Sequence, residues 1–349
     1  MTIMRRLFAA LSLSALVSVA AVSPAHAADT AAANAAATWL TTQVSPAPTT
    51  GMAGEILIGL ASATDPALQP TIDALLAQVK SGAPTYAAAG GGAPGKLAII
   101  ADAYGLSPTS FGGVNLVTSM TADTAADGSV GSWPSAFSSG LTMAGFKRAG
   151  ATGPAALSTW LLSQQNADGG FGYAVGAPSD ADNTALAIIG LLTDTTPAGQ
   201  AALAKAVAWA QGAQQANGSW TGYVPVNSTC VLASALESAG VAPTKALAWV
   251  KTQQLANGAI GVDGSGDVFA TAQCLPLLGG VSYLNVVWTP TKTVTSSPSP
   301  TTATTPTTTP APSRGVPAKT SADPEPSAAP FAVLVALVVA SAIVVRRTA

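Results

Sequence analysis

One arrangement recurs along the second half of this chain and restricts what it can fold into. Trp160 is followed by Gln164, Gln165 and Gly169, and Trp249 by Gln253, Gln254 and Gly258. Trp209 reaches Gly218 at the same offset, with its glutamine pair slipped by one to Gln214 and Gln215. After each glycine a loop leads into a second, apolar segment with Thr or Ser near its start: Asn183-Thr184-Ala185-Leu186, Ser228-Thr229-Cys230-Val231 and Ala270-Thr271-Ala272-Gln273. A helix-turn-helix unit repeated at such a period implies stacked helix pairs that share one core.

Six pairs can be traced, giving an all-α chain. The spacing predicts helices over 32–43 and 52–61, 71–80 and 95–104, 115–120 and 136–149, 155–165 and 182–192, 201–215 and 228–239, and 244–254 and 268–278. The first helix of each pair is amphipathic, whereas the second is apolar nearly all round, as in Thr184–Leu192, and belongs inside. First helices therefore predict an outer ring and second helices an inner ring, closing into an α/α toroid; an open solenoid is the alternative. Gly169, Gly170, Gly218 and Gly258 supply the left-handed residue that ends a helix, and the glutamines can tie each loop to free carbonyls.

The chain ends read differently. Residues 1–27 have the order of a secretory signal peptide: Arg5 and Arg6, an apolar run, then Ala25-His26-Ala27 as the cleavage site. The folded domain is expected over 28–288. Residues 289–330 are rich in Thr, Pro and Ser and read as a disordered stalk. Residues 331–345 are apolar and read as a membrane anchor, with a short cytoplasmic tail at 346–349 carrying Arg346 and Arg347. The domain is then expected outside the cell, held at the membrane through the C-terminal helix.

Composition excludes several functions. Residues 29–288 carry seven Lys or Arg against fourteen Asp or Glu, a net charge of about −7, which argues against nucleic acid as partner. The only histidine is His26, inside the expected leader, so His-dependent catalysis and His-containing metal sites are excluded from the domain. Cys230 and Cys274 lie about one repeat apart and read either as a disulfide between neighbouring units or as two buried small side chains.

The Gln-x-x-x-Gly-x-Phe/Trp units followed by Asp/Asn-Thr-Ala resemble the prenyltransferase and squalene-cyclase repeat, a superfamily of α/α toroids. The match is best over 155–280. The segment Thr271-Ala-Gln273-Cys-Leu-Pro-Leu-Leu-Gly-Gly-Val-Ser-Tyr283-Leu is similar to the close of the α-domain in the intrinsic factor and transcobalamin family. That resemblance implies a corrinoid-binding cup, with Asn183 and Gln273 at amide positions that meet the ligand. Family members add a small β domain over the ligand. This chain runs from Val286 into the stalk, so a separate lid domain or a membrane transporter is the expected partner. The stalk and tail resemble surface proteins of Gram-positive bacteria.

Asp180-Ala-Asp182-Asn183-Thr184-Ala185 also resembles the DxDD-Thr-Ala motif of class II terpene cyclases, with Asn in place of the last Asp. In such an enzyme Asp182 would be the general acid. The plainer reading is helix capping, as Asp267 stands at a similar place. Cyclases line their cavities with aromatic rings, and aromatics are only 5% of this chain. A surface structural or adhesion module is the third reading. Phe171, Tyr173, Trp220, Tyr223, Asp180, Asp182 and Asn227 all fall in or beside loops feeding the start of the inner helices. With Asn183, Gln273 and Tyr283 they form the candidate ligand-binding set: an aromatic, acidic and amide rim over an apolar cup, suited to an amphipathic small molecule. No resident cofactor or metal is expected; a corrinoid would be the ligand.

Overall fold

The computed structural model describes residues 28–45 and 47–291. The expected signal peptide, membrane anchor and tail, and all but the first three residues of the expected stalk, lie outside the described residues. Among the described residues there are twelve α-helices in six pairs: α1 (Thr30–Thr41) and α2 (Thr50–Leu60); α3 (Gln69–Ala88) and α4 (Ala93–Ala103); α5 (Leu116–Asp123) and α6 (Ala136–Arg148); α7 (Ala155–Ser163) and α8 (Ala181–Leu191); α9 (Pro197–Ala213) and α10 (Pro225–Ser238); α11 (Thr244–Gln253) and α12 (Val268–Gly279). Strands are limited to one two-residue hairpin, Gly261–Val262 with Ser265–Gly266. The described chain is therefore all-α, as expected.

Helix α3 exceeds its expected span, running through Ser81-Gly82-Ala83-Pro84 to Ala88. Ile72, Leu75, Val79, Ala83 and Ala87 keep helical spacing and are all buried, so packing overrides the breakers.

The even-numbered helices are the buried ones. In α8 ten of eleven residues are buried, whereas α7 buries only Leu157 and Leu161. Successive even helices pack side by side round a ring: α2 on α4, α4 on α6, and so on to α12, which returns to α2. Small residues permit the close approach. A Cβ on Gly140 of α6 would lie 1.9 Å from the Leu186 carbonyl oxygen of α8.

The turn inside each pair joins one unit to the next. Gly169, Gly218 and Gly258 hold φ of 93°, 98° and 93°. Each sits so close to the next outer helix that a Cβ would meet its backbone: Lys205 O at 2.8 Å, Lys245 O at 2.4 Å and Ala35 O at 2.3 Å. Gln165, Gln214 and Gln254 each donate from Nε2 to the carbonyl of the turn glycine at 2.9–3.0 Å. Gln165 also reaches Ala202 O and Gln254 reaches Ala32 O. Because Ala32 and Ala35 belong to α1, the sixth turn docks on the first helix and the ring closes. Lys251 and Asp29 add an ion pair at 2.5 Å across the same seam.

Below the ring the chain doubles back. After α12, residues 281–291 cross the C-terminal ends of the inner helices as a strap. Ser234 donates to Val281 O, Arg148 to Val286 O at 2.5 Å, and the Trp288 amide to Ala103 O. The Thr291 amide donates to Thr64 O, so the folded part continues three residues beyond the expected boundary at 288. Cys230 and Cys274, both fully buried, form a disulfide between α10 and α12.

Closure through Gly258 is testable. Gly258→Ala adds a Cβ into the Ala35 carbonyl as well as left-handed strain, and is expected to destabilise by about 2–3 kcal/mol. Gly264→Ala, at φ 81° with open space around it, carries the strain alone and is expected to cost about 1 kcal/mol. Urea unfolding of the two variants measures the difference.

Candidate functional site

The inner helices all begin at one end of the ring, the mouth, and polar side chains on their first turns link them round it. At α8, Asp180 caps the helix: its Oδ1 accepts from the Asn183 amide at 2.8 Å and its carboxylate accepts from Asn183 Nδ2. Asn183 Oδ1 accepts from the Phe137 amide at 3.3 Å, joining α8 to α6. Asp182 Oδ2 accepts from Ser228 Oγ at 2.9 Å, joining α8 to α10. Asn227 Nδ2 donates to Gln273 Oε1 at 2.9 Å, joining α10 to α12. Lys96 of α4 pairs with Glu55 Oε2 of α2 at 2.6 Å. Four of the six junctions of the inner ring thus carry a side-chain hydrogen bond. The other two are made by glycine contact, Gly95 of α4 facing the Leu141 carbonyl of α6 and Gly59 of α2 facing the Ala272 carbonyl of α12.

Glu55 is 1% exposed. Burial works against its charge, but Lys96, Tyr283 and Gln273 outweigh burial and hold its carboxyl below the usual range. Burial likewise opposes the Lys96 ammonium, and Glu55 beside it raises the group above its ordinary value. Burial pushes Asp180 up against the bonds from Asn183. Burial pushes Asp182 up too, with the Asp180 charge adding and the Ser228 and Tyr223 bonds opposing. Glu237, near the far end of α10, is pushed up by burial to about 7.

The ten expected ligand residues divide. Asp180, Asp182, Asn183, Asn227 and Gln273 come together at the mouth, in the ring of bonds just described. Tyr173 and Tyr223 stand on its rim, 70% and 65% exposed. Phe171 and Trp220 do not: both are buried. Their backbone amides donate to Thr184 Oγ1 and Thr229 Oγ1, which draws each loop inward, and Trp220 Nε1 donates to Ala210 O. Ile260 does the same with Thr271, so this is a repeated packing element of the turn. Tyr283 enters from the floor strap instead of the rim, its hydroxyl donating to Glu55 Oε1 at 2.8 Å. A space on the inner side of α8, α10 and α12, between Ile189, Val231, Gln273, Pro276 and Tyr283, measures about 10 Å³. That is room for about one water.

Sequence reasoning missed four residues. Trp133, just before α6, and Phe137, in its first turn, are 58% and 38% exposed, and the Phe137 amide bonds Asn183. Glu55 and Lys96 form the buried pair; Glu55 is the one charge in α2, whereas α4 carries Asp102 besides Lys96.

Two outcomes are expected. Lys96→Met leaves Glu55 buried without its cation and should destabilise by about 3–5 kcal/mol, whereas Glu55→Gln with Lys96→Met should recover most of that loss; calorimetric melting compares them. Asp182, with its folded-state pKa raised, contributes most to stability when protonated, below the ordinary carboxylate range of about 4, and that contribution is lost as pH rises through its folded value. Asp182→Asn should therefore be more stable than the wild type at pH 7, with the gap closing on acidification, as read by denaturation at stepped pH.

No family model and no curated protein matches the sequence. Solved structures do match in fold. A protein from Actinoplanes aligns with a TM-score of 0.56 at 16% identity over 72% of this chain and 99% of its own. A variant of the type II terpene cyclase MstE from Scytonema, in complex with merosterolic acid A, aligns with a TM-score of 0.53 at 14% identity over 72% of this chain and 96% of its own. Haptocorrin in complex with Cbi aligns with a TM-score of 0.52 at 13% identity over 76% of this chain and 70% of its own. The chain shares with them its ring of paired helices.

Proposed function

We propose that this chain is a binding protein for a small, flat, amphipathic ligand of the corrinoid class. It is held at the cell surface by the apolar segment 331–345, with the ring outside and the signal peptide 1–27 removed. One observation carries the reading: four aromatic side chains, Trp133, Phe137, Tyr173 and Tyr223, stand exposed round a mouth floored by amides and carboxylates. Exposed aromatics of this kind mark sites that a ligand or partner covers. A planar ring edged with amide groups, lying across the mouth, would meet both aromatic rings and hydrogen-bonding side chains. The structural likeness to haptocorrin in complex with Cbi supports the same class. A separate lid domain or a transporter would cover the ligand's outer face.

A terpene cyclase is the second reading, and the buried Asp182 with its raised pKa favours it. Pockets that enclose a ligand of that size run to roughly 300–1,000 Å³, against the 10 Å³ found on the inner side of α8, α10 and α12. The binding reading fits the volume better.

Titration of the purified chain with cobinamide and with cobalamin, followed by calorimetry, tests the proposal. Binding is expected, weakened about tenfold by Trp133→Ala or Tyr223→Ala, a loss of ~1.4 kcal/mol for an aromatic anchor. Absence of heat with both ligands at high micromolar concentration sinks it. Product from geranylgeranyl diphosphate or squalene, lost in Asp182→Asn, would establish the cyclase instead.

A further inference from the structure

Eight asparagines lie in the chain, and two of them, Asn217 and Asn257, stand directly before a glycine. Both are exposed, in the turns that join one unit to the next. Two earlier units fill the same position with aspartate, Asp127 before Gly128 and Asp168 before Gly169. All four residues make one bond. Their Oδ1 accepts from the amide two residues on, at 3.0 Å for Asp127, Asp168 and Asn217 and at 3.1 Å for Asn257. Among the described residues neither asparagine uses its Nδ2 in a hydrogen bond. The amide nitrogen therefore does nothing in the turn that a carboxylate oxygen could not do.

An asparagine before a glycine can react with its own backbone. Glycine has no Cβ to hold its nitrogen away from the preceding side chain. That nitrogen attacks the asparagine Cγ, a C–N bond forms, and the amide nitrogen leaves as ammonia with the glycine N–H proton. Water then opens the cyclic imide at either carbonyl. One opening restores the normal backbone with aspartate. The other leaves isoaspartate, whose main chain runs through Cβ and Cγ and is longer by an atom. In the folded turns Gly218 N–H is given to Gln215 O and Gly258 N–H to Leu255 O. Attack therefore waits on local opening, which a surface turn undergoes without global unfolding.

The two products differ at the joint. Aspartate reproduces the turns at Asp127 and Asp168. Isoaspartate pushes extra main chain in front of a glycine that has no slack, since a Cβ on Gly258 would lie 2.3 Å from Ala35 O. It also displaces the Gly258 carbonyl, which Gln254 Nε2 holds together with Ala32 O. The joint at Gly218 faces Lys245 of α11, the next helix in the chain. The joint at Gly258 faces α1, with Gln254 and Ala32 separated by 222 residues, so no short connection backs it up. We infer that Asn257 is a hydrolytic modification site, where deamidation to isoaspartate loosens the closure of the ring on α1 and deamidation to aspartate leaves it intact. Asn217 is a second such site with a local effect only.

Ageing the purified full chain in mildly alkaline buffer, followed by peptide mapping that separates aspartate from isoaspartate, is the test. Both products are expected at Asn217 and Asn257, while the other asparagines keep their amides. Fractions with isoaspartate at position 257 should show faster hydrogen exchange across α1 and a urea midpoint lowered about as far as by Gly258→Ala. Fractions with isoaspartate at position 217 alone should keep α1 protected. Asn257→Asp, measured fresh, should match the fresh wild type in both respects. Survival of both amides in the aged chain overturns the proposal. So does isoaspartate at position 257 that leaves α1 exchange and the midpoint unchanged, or an Asn257→Asp variant that behaves like the isoaspartate form.

Discussion

Everything in this fold depends on a contact made at each turn of the second half: a glycine in left-handed conformation pressed against the backbone of the next outer helix. A Cβ there would meet that backbone at 2.3–2.8 Å, too close for a carbon–oxygen contact, and would push the two units apart. The glutamine four residues earlier completes the joint by spanning the turn and, at two of the joints, reaching into the neighbour. A linear array would leave the last such surface bare. Here the last one finds α1, so the joint that stacks the units also removes the free ends.

Inside that frame the inner helices could have been held by apolar packing alone. The chain instead threads polar side chains round the mouth. Buried ion pairs such as Glu55 with Lys96 are weak contributors to stability, because desolvation offsets most of the attraction. What they contribute here is register. Each bond requires one helix to stand at one height and rotation relative to its neighbour, and all lie near the mouth.

The fold was readable in the sequence because its signals are local and repeated. The Trp, Gln and Gly positions, the Asp before α8 and before α12, and the alternation of mixed and wholly apolar helices each need only a few neighbouring residues to interpret. The site was readable only in part. Asp180, Asp182, Asn183, Asn227 and Gln273 sit at helix starts, and helix starts were visible. Phe171 and Trp220 looked like rim residues because they lie in loops, but threonines 13 and 9 residues further along turn those loops inward. Glu55 and Lys96 are 41 residues apart on different units. Nothing in GEILIGL or GKLAII alone says that the two charges meet. Tyr283 reaches Glu55 from a strap whose path no repeat encodes.

That strap has a mechanical consequence. The chain leaves the ring at Thr291, beside Thr64, after crossing the whole underside. A pull on the polypeptide beyond that point meets first the Thr291, Trp288 and Arg148 bonds, loaded together, and only then α12 and its disulfide to α10. Tension from below would peel a short sacrificial stretch while the paired helices above stay seated.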